Sequence, residues 1–157
     1  MNDKMDTSAQ EDLGADFKKA LDEGWLPIRE VARQTGVNAV TLRAWERRYG
    51  LIVPHRTPKG HRLYSPANLA RINAILAWLA RGVAVGQVKA LLDHEQVPQA
   101  TQTDNWSRQR NELLGCIVQF NERRLDDRFN SALALYPAST LVEQLLWPLL
   151  GDLRQRW

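Results

Sequence analysis

The sequence predicts a mainly α-helical protein carrying one small β-hairpin, and three observations support that reading. Apolar residues recur at helical spacing through most of residues 66–157. Two short helical patterns within residues 27–49 are separated by Gly36 and Asn38, a turn residue and a helix-start residue. Between Leu51 and Tyr64, Pro54, Pro58 and Gly60 interrupt a stretch with apolar residues at both ends, which suits a hairpin better than a helix. With 157 residues, the chain has room for one ordinary domain or two small ones.

The elements follow in chain order. Ile28, Val31 and Ala32 mark the buried side of a first helix from about Pro27 to Gln34, with Pro27 in its first turn. Asn38 caps a second helix through about Tyr49; Val40 and Ala44 are expected to face inward, leaving Thr41, Arg43 and Arg47 outward. Ile52–Val53 and Leu63–Tyr64 are expected to pair as strands around a Thr57-Pro58-Lys59-Gly60 turn. Ser65-Pro66 opens a helix with the stripe Leu69, Ile72, Ile75, Leu76 and Leu79, ending at Arg81-Gly82. A further helix carries Val85, Val88, Leu91 and Leu92. Two helices joined by a glycine turn and followed by a hairpin make a winged helix-turn-helix, and a helical bundle segment follows.

Charge is distributed unevenly. Residues 1–24 hold three lysines against seven acids, residues 25–94 hold eleven Lys or Arg against three acids, and residues 95–157 hold seven Arg against eight acids. An acidic tail (1–24) therefore precedes a basic domain (25–93), a linker (94–105) and a near-neutral helical segment (106–157). A basic block attracts polyanions because each neutralised phosphate releases counterions. Apolar runs such as Leu145–Leu150 fall far short of the ~20 residues of a membrane helix, so no membrane partner is expected. The acidic head excludes a secretory signal, and the single Cys116, inside an apolar stretch, is read as packing. A cytoplasmic setting is the expectation. No nucleophile with its base, paired carboxylates or glycine-rich phosphate loop is recognisable, so no enzyme, catalytic residue or metal site is expected.

The motifs Leu26-Pro-Ile-Arg-Glu-Val-Ala32, Val40-Thr-Leu-Arg-Ala-Trp-Glu-Arg-Arg-Tyr-Gly-Leu51 and Arg56-Thr-Pro-Lys-Gly-His-Arg-Leu-Tyr64 together resemble the MerR family of regulators. The form Arg-Ala-Trp-Glu-Arg-Arg-Tyr-Gly is nearest the MlrA-like and CarH/LitR-like branch. That resemblance assigns Thr41, Arg43, Trp45 and Arg48 to a DNA-recognition helix and Arg56, Lys59, His61, Arg62 and Tyr64 to the wing. It implies double-stranded promoter DNA as partner, bound by a homodimer, with RNA polymerase as a further partner. From position, Arg43 and Arg47 are candidates for base readout, and Lys59 and Arg62 for phosphate contact. Glu46 is expected to pair with a neighbouring Arg, Trp78 to pack, and His94 to sit at a solvated helix end.

Beyond the linker, Trp106, Leu113, Ile117 and Phe120 are expected on one helix face, and Phe129, Ala132, Leu133 and Tyr136 on another, ending at Pro137. Thr140 and Glu143 have capping-box spacing, and Pro148 should kink or restart the last helix. The Trp106 stripe is either an interface between subunits or packed against Leu133, Leu145 and Leu149. Residues 106–157 are similar to the helical bundle preceding the cobalamin-binding fold in the CarH/LitR branch. There a Trp opens a motif ending in Glu-His, and a following α/β domain supplies a cobalt-ligating His. Trp157 could take the Trp position, but the sequence stops there, so no cofactor is expected in this chain and cobalamin only with a downstream domain. Two other readings compete: an excisionase-like architectural DNA-binding protein, for which the helical extension is too long, and a protein-interaction module with an incidental basic surface.

Overall fold

The structure is a computed structural model describing residues 18–93 and 102–156. A short helix is also expected where Leu13, Phe17 and Leu21 repeat every four residues; Leu13 and Phe17 lie outside the described residues, as do His94 and Trp157. Mainly α architecture with one small sheet is observed. Strand β1 (Leu26–Pro27) leads directly into α1 (Ile28–Thr35), so Pro27 is the last extended residue before the helix rather than part of its first turn. Gly36, at φ 72°, turns the chain, donating its N–H to the Ala32 carbonyl at 2.9 Å. Asn38 Oδ1 then accepts from Val40 N at 2.9 Å and starts α2 (Ala39–Ala44).

Helix α2 widens into a π turn over Trp45–Tyr49 and stops at Gly50, whose φ of 57° suits a residue without a Cβ. The hairpin is shifted from expectation: β2 is His55–Arg56 and β3 is Arg62–Tyr64, paired in the register His55↔Leu63 and Arg56↔Arg62. Ile52, which is buried, and Val53, which is exposed, both lie outside the sheet. Strand β1 pairs with the other edge of β3, Leu26↔Tyr64, making a three-stranded antiparallel sheet in the order β1-β3-β2 that local sequence patterns did not suggest.

Ser65 caps α3 (Pro66–Ala80), with Asn68 completing a reciprocal capping box: Ser65 Oγ accepts from Asn68 N and Asn68 Oδ1 from Ser65 N. Ile72, Ile75 and Leu79 are its buried stripe, as expected. After Gly82, α4 (Val85–Asp93) buries Val85, Val88 and Leu91. An Arg71–Asp93 pair at 3.2 Å joins α3 to α4.

The next helix, α5 (Gln102–Val118), begins inside the segment expected to be linker. Asn121 caps α6 (Glu122–Leu135), and Pro137 precedes α7 (Ala138–Leu141). A second π turn, Val142–Leu146, carries α7 without a break into α8 (Trp147–Arg156). Pro148 cannot donate a backbone hydrogen bond, and the widened turn just before it is where the helix absorbs that loss. Thr140 is buried within α7 rather than capping it, so the expected capping box is not formed. Phe120 is 87% exposed at the α5–α6 corner with φ 51°, off the stripe on which it was placed.

One apolar core runs through both halves, from Val31, Leu42 and Ile72 to Leu113, Leu141 and Leu145. Each such side chain removed from water contributes roughly 1.5–3 kcal/mol before ordering costs. Polar ties reinforce the junction. Trp106 Nε1 donates to the Gly82 carbonyl at 2.7 Å, and Val85 N to the Tyr136 hydroxyl at 3.2 Å. The Trp106 and Tyr136 rings lie 4.8 Å apart. Trp106 and Leu113 thus pack within their own chain, where α5 meets α6, the second π turn and α8, while Leu133 is exposed. Cys116 is buried and free, and Trp78 packs on the core with the Arg81 guanidinium 4.7 Å above its ring.

Candidate nucleic-acid interface

The second helix and the hairpin form one surface, and what builds it is the set of side chains that point the other way. Leu42 and Trp45 are fully buried, and Trp45 Nε1 donates to the Leu135 carbonyl in α6 at 2.8 Å. Pinning that side turns Val40, Arg43 and Arg47 outward together, because positions three and four apart share a helix face. Arg48 is exposed beside them. Val40, expected inside, is 54% exposed, whereas Thr41, expected outside, is buried with its Oγ1 unbonded. The physical reason is α6: it lies against the flank of α2 that carries Thr41 and Trp45, a flank solvated in a bare helix pair.

Glu46 organises the hairpin. Arg56 Nη2 donates to its Oε1 at 2.8 Å and Arg62 Nε to its Oε2 at 2.6 Å. The carboxylate is largely shielded, which by itself would raise its pKa, but the hydrogen bonds from Arg62 and Arg56 outweigh this and hold it below the ordinary range. Glu46 is thus the ion-pair partner anticipated, with two arginines rather than one. Arg62 is consequently a strut, while Arg56 keeps half of its side chain in solvent. Lys59 and His61 are exposed at the tip, where Thr57 and Gly60 close the turn.

Tyr64 is buried in the core, and its pKa is raised chiefly by that burial. Of the ten residues singled out from sequence, the structure gathers Arg43, Arg47, Arg48, Arg56, Lys59 and His61 on the accessible surface and places Thr41, Trp45 and Tyr64 in the core, with Arg62 held between. Val40 was missed as a surface residue. Its signal was available, since it shares the i, i+3, i+7 row of Arg43 and Arg47. Trp25 is another omission, packing edge-on against His55 of the hairpin at 5.7 Å. Among the described residues no cluster of three or more His, Cys, Asp or Glu is placed to hold a metal ion, and no helix is long and apolar enough to cross a membrane.

A helix-turn-helix with a cationic hairpin beside its second helix defines a winged helix-turn-helix protein. Residues 26–95 match the model of the MerR HTH family regulatory protein. The chain is 42% identical over 122 residues to the HTH-type transcriptional regulator MlrA of Escherichia coli, covering 78% of this chain and 49% of that protein. It is 29% identical over 143 residues to the HTH-type transcriptional repressor CarH of Myxococcus xanthus, covering 83% and 47% respectively. The chain spans about half the length of these curated relatives.

Proposed function

We propose that this chain is a sequence-specific, DNA-binding transcription regulator of the MerR type, acting on promoter DNA in the cytoplasm and not as an enzyme. The observation that carries the reading is the row Val40, Arg43 and Arg47, held outward because Leu42 and Trp45 anchor the opposite side of the same helix. A helix so presented fits the major groove, where arginine pairs with guanine edges and an apolar side chain meets a thymine methyl. Arg48, Lys59 and His61, with the solvent-facing part of Arg56, follow the phosphates and fix the register. One helix and one wing cover a half-site, so two copies engage a dyad, with RNA polymerase the partner that reads the outcome.

The bundle's likeness to CarH raises the question of cobalamin. All three histidines, His55, His61 and His94, precede residue 95, so the helical segment offers no imidazole to ligate cobalt and no step is assigned to that group. Footprinting on the DNA upstream of the protein's own gene, with a salt titration against a random duplex, tests the function. A protected dyad bound far more tightly than random DNA is the expected result. Equal affinity for both at every salt concentration refutes it.

A further inference from the structure

We propose that the cleft where α5 and α6 meet the end of the π turn and the start of α4 binds a small organic anion with an apolar body. The site is independent of the DNA-reading surface and of its assignment. The cleft holds about 450 Å³. That volume lies within the range of small-molecule sites, roughly 300–1,000 Å³, and far exceeds the ~30 Å³ of one water.

Its apolar wall is built from both halves of the chain: Tyr49 and Val85 from one, Leu113, Leu135 and Leu145 from the other. The polar wall is one face of α5, where Asn105, Arg108 and Gln109 stand at i, i+3 and i+4. Two features of that wall ask for an acceptor. Asn105 Nδ2 is enclosed and forms no well-aligned hydrogen bond, though the amide still acts on the Tyr136 hydroxyl. Two cations line the cleft, Arg108 and Arg128, and only one is neutralised. Glu112 pairs with Arg128 at 2.9 Å, while Arg108 has no ion-pair partner among the described residues. Asn105 Nδ2 and Arg108 can only donate. The complementary group is a carboxylate, sulfonate or phosphate, and the five apolar side chains opposite complement a ring or short hydrocarbon attached to it.

Two fluorescent probes of similar shape separate the two parts of this proposal: anilinonaphthalene sulfonate, an anion, and phenylnaphthylamine, which is neutral. Titrated into the full chain without DNA, the sulfonate should saturate one site. Arg108→Glu should weaken the sulfonate about tenfold or more and leave the neutral probe within about twofold. Ser131→Trp, which projects a ring into the cleft from an exposed position of α6, should weaken both probes about tenfold or more. If circular dichroism shows that variant disturbed, Gln109→Trp fills the cleft from the other wall. Absence of saturable binding overturns the proposal, as does binding that neither filling variant alters, which would locate the probes on the exposed Trp147 and Leu150 instead. Loss of both probes on filling, with no effect of Arg108→Glu, overturns the anion assignment. All readouts are made without DNA, so they stand whether or not the DNA-reading assignment does.

Discussion

Trp45 and Leu135, ninety positions apart, are joined by a 2.8 Å hydrogen bond from the indole N–H to a carbonyl at the end of α6. The bond ties α2 and its π turn to the helical segment, and it places a residue expected at the DNA surface inside the protein. Trp45→Phe removes the donor and strands the Leu135 carbonyl, so it should cost about 1–3 kcal/mol in urea unfolding. Binding by the fraction that remains folded should be nearly unchanged. A large loss of DNA affinity in fully folded Trp45→Phe would restore the indole as a DNA contact.

Arg43→Ala and Arg47→Ala should each cost about 1–3 kcal/mol on the specific site and relax base preference there. Lys59→Ala should weaken specific and random duplexes alike and lower the salt slope by about one. Fluorescence anisotropy across a salt series measures both. Uniform effects of all three variants on random DNA would show that the helix does not read bases.

Glu46 links acid stability to the hairpin. Its folded pKa lies below the unfolded value of about 4.3, so its stabilisation is complete above that pH and disappears as the pH falls through the depressed folded value. Glu46→Gln should cost about 1 kcal/mol at neutral pH, since both arginines retain access to water, and should flatten the acid limb of stability below about pH 4.5. Urea midpoints between pH 3 and 7, compared for the two proteins, check it. Parallel curves would mean the carboxylate is not held by Arg56 and Arg62.

Leu113, once a candidate for contact between subunits, is 3% exposed within its own chain. Leu113→Glu should therefore destabilise the monomeric fold by about 2 kcal/mol or more, because a charge replaces a buried apolar side chain in the core beside the cleft. Thermal unfolding at two protein concentrations separates this from an interface effect, which would depend on concentration.

Pairing on DNA requires no such stripe. Light scattering at saturating protein on a duplex carrying two half-sites should give two chains per duplex. One chain per duplex under those conditions would rule out the paired arrangement.

Local sequence determined the helices and the glycine turn of this protein. Asn38, Ser65 and Gly82 act at the positions where their caps and turns were read, because capping depends on a few adjacent residues. The cationic character of the wing was legible for the same reason: charge is a property of composition. Which side of the second helix faces water was not legible. Thr41 and Val40 exchange their expected environments because α6, arriving from beyond residue 120, covers one flank and leaves the other bare. The third strand has the same origin, since Leu26 finds Tyr64 only once the chain has closed on itself. Arg62 likewise looks like any hairpin cation until Glu46, sixteen residues earlier, is folded against it. Periodicity registers that a face is apolar or charged, but only tertiary packing decides what covers it, because burial is a relation between segments distant in sequence.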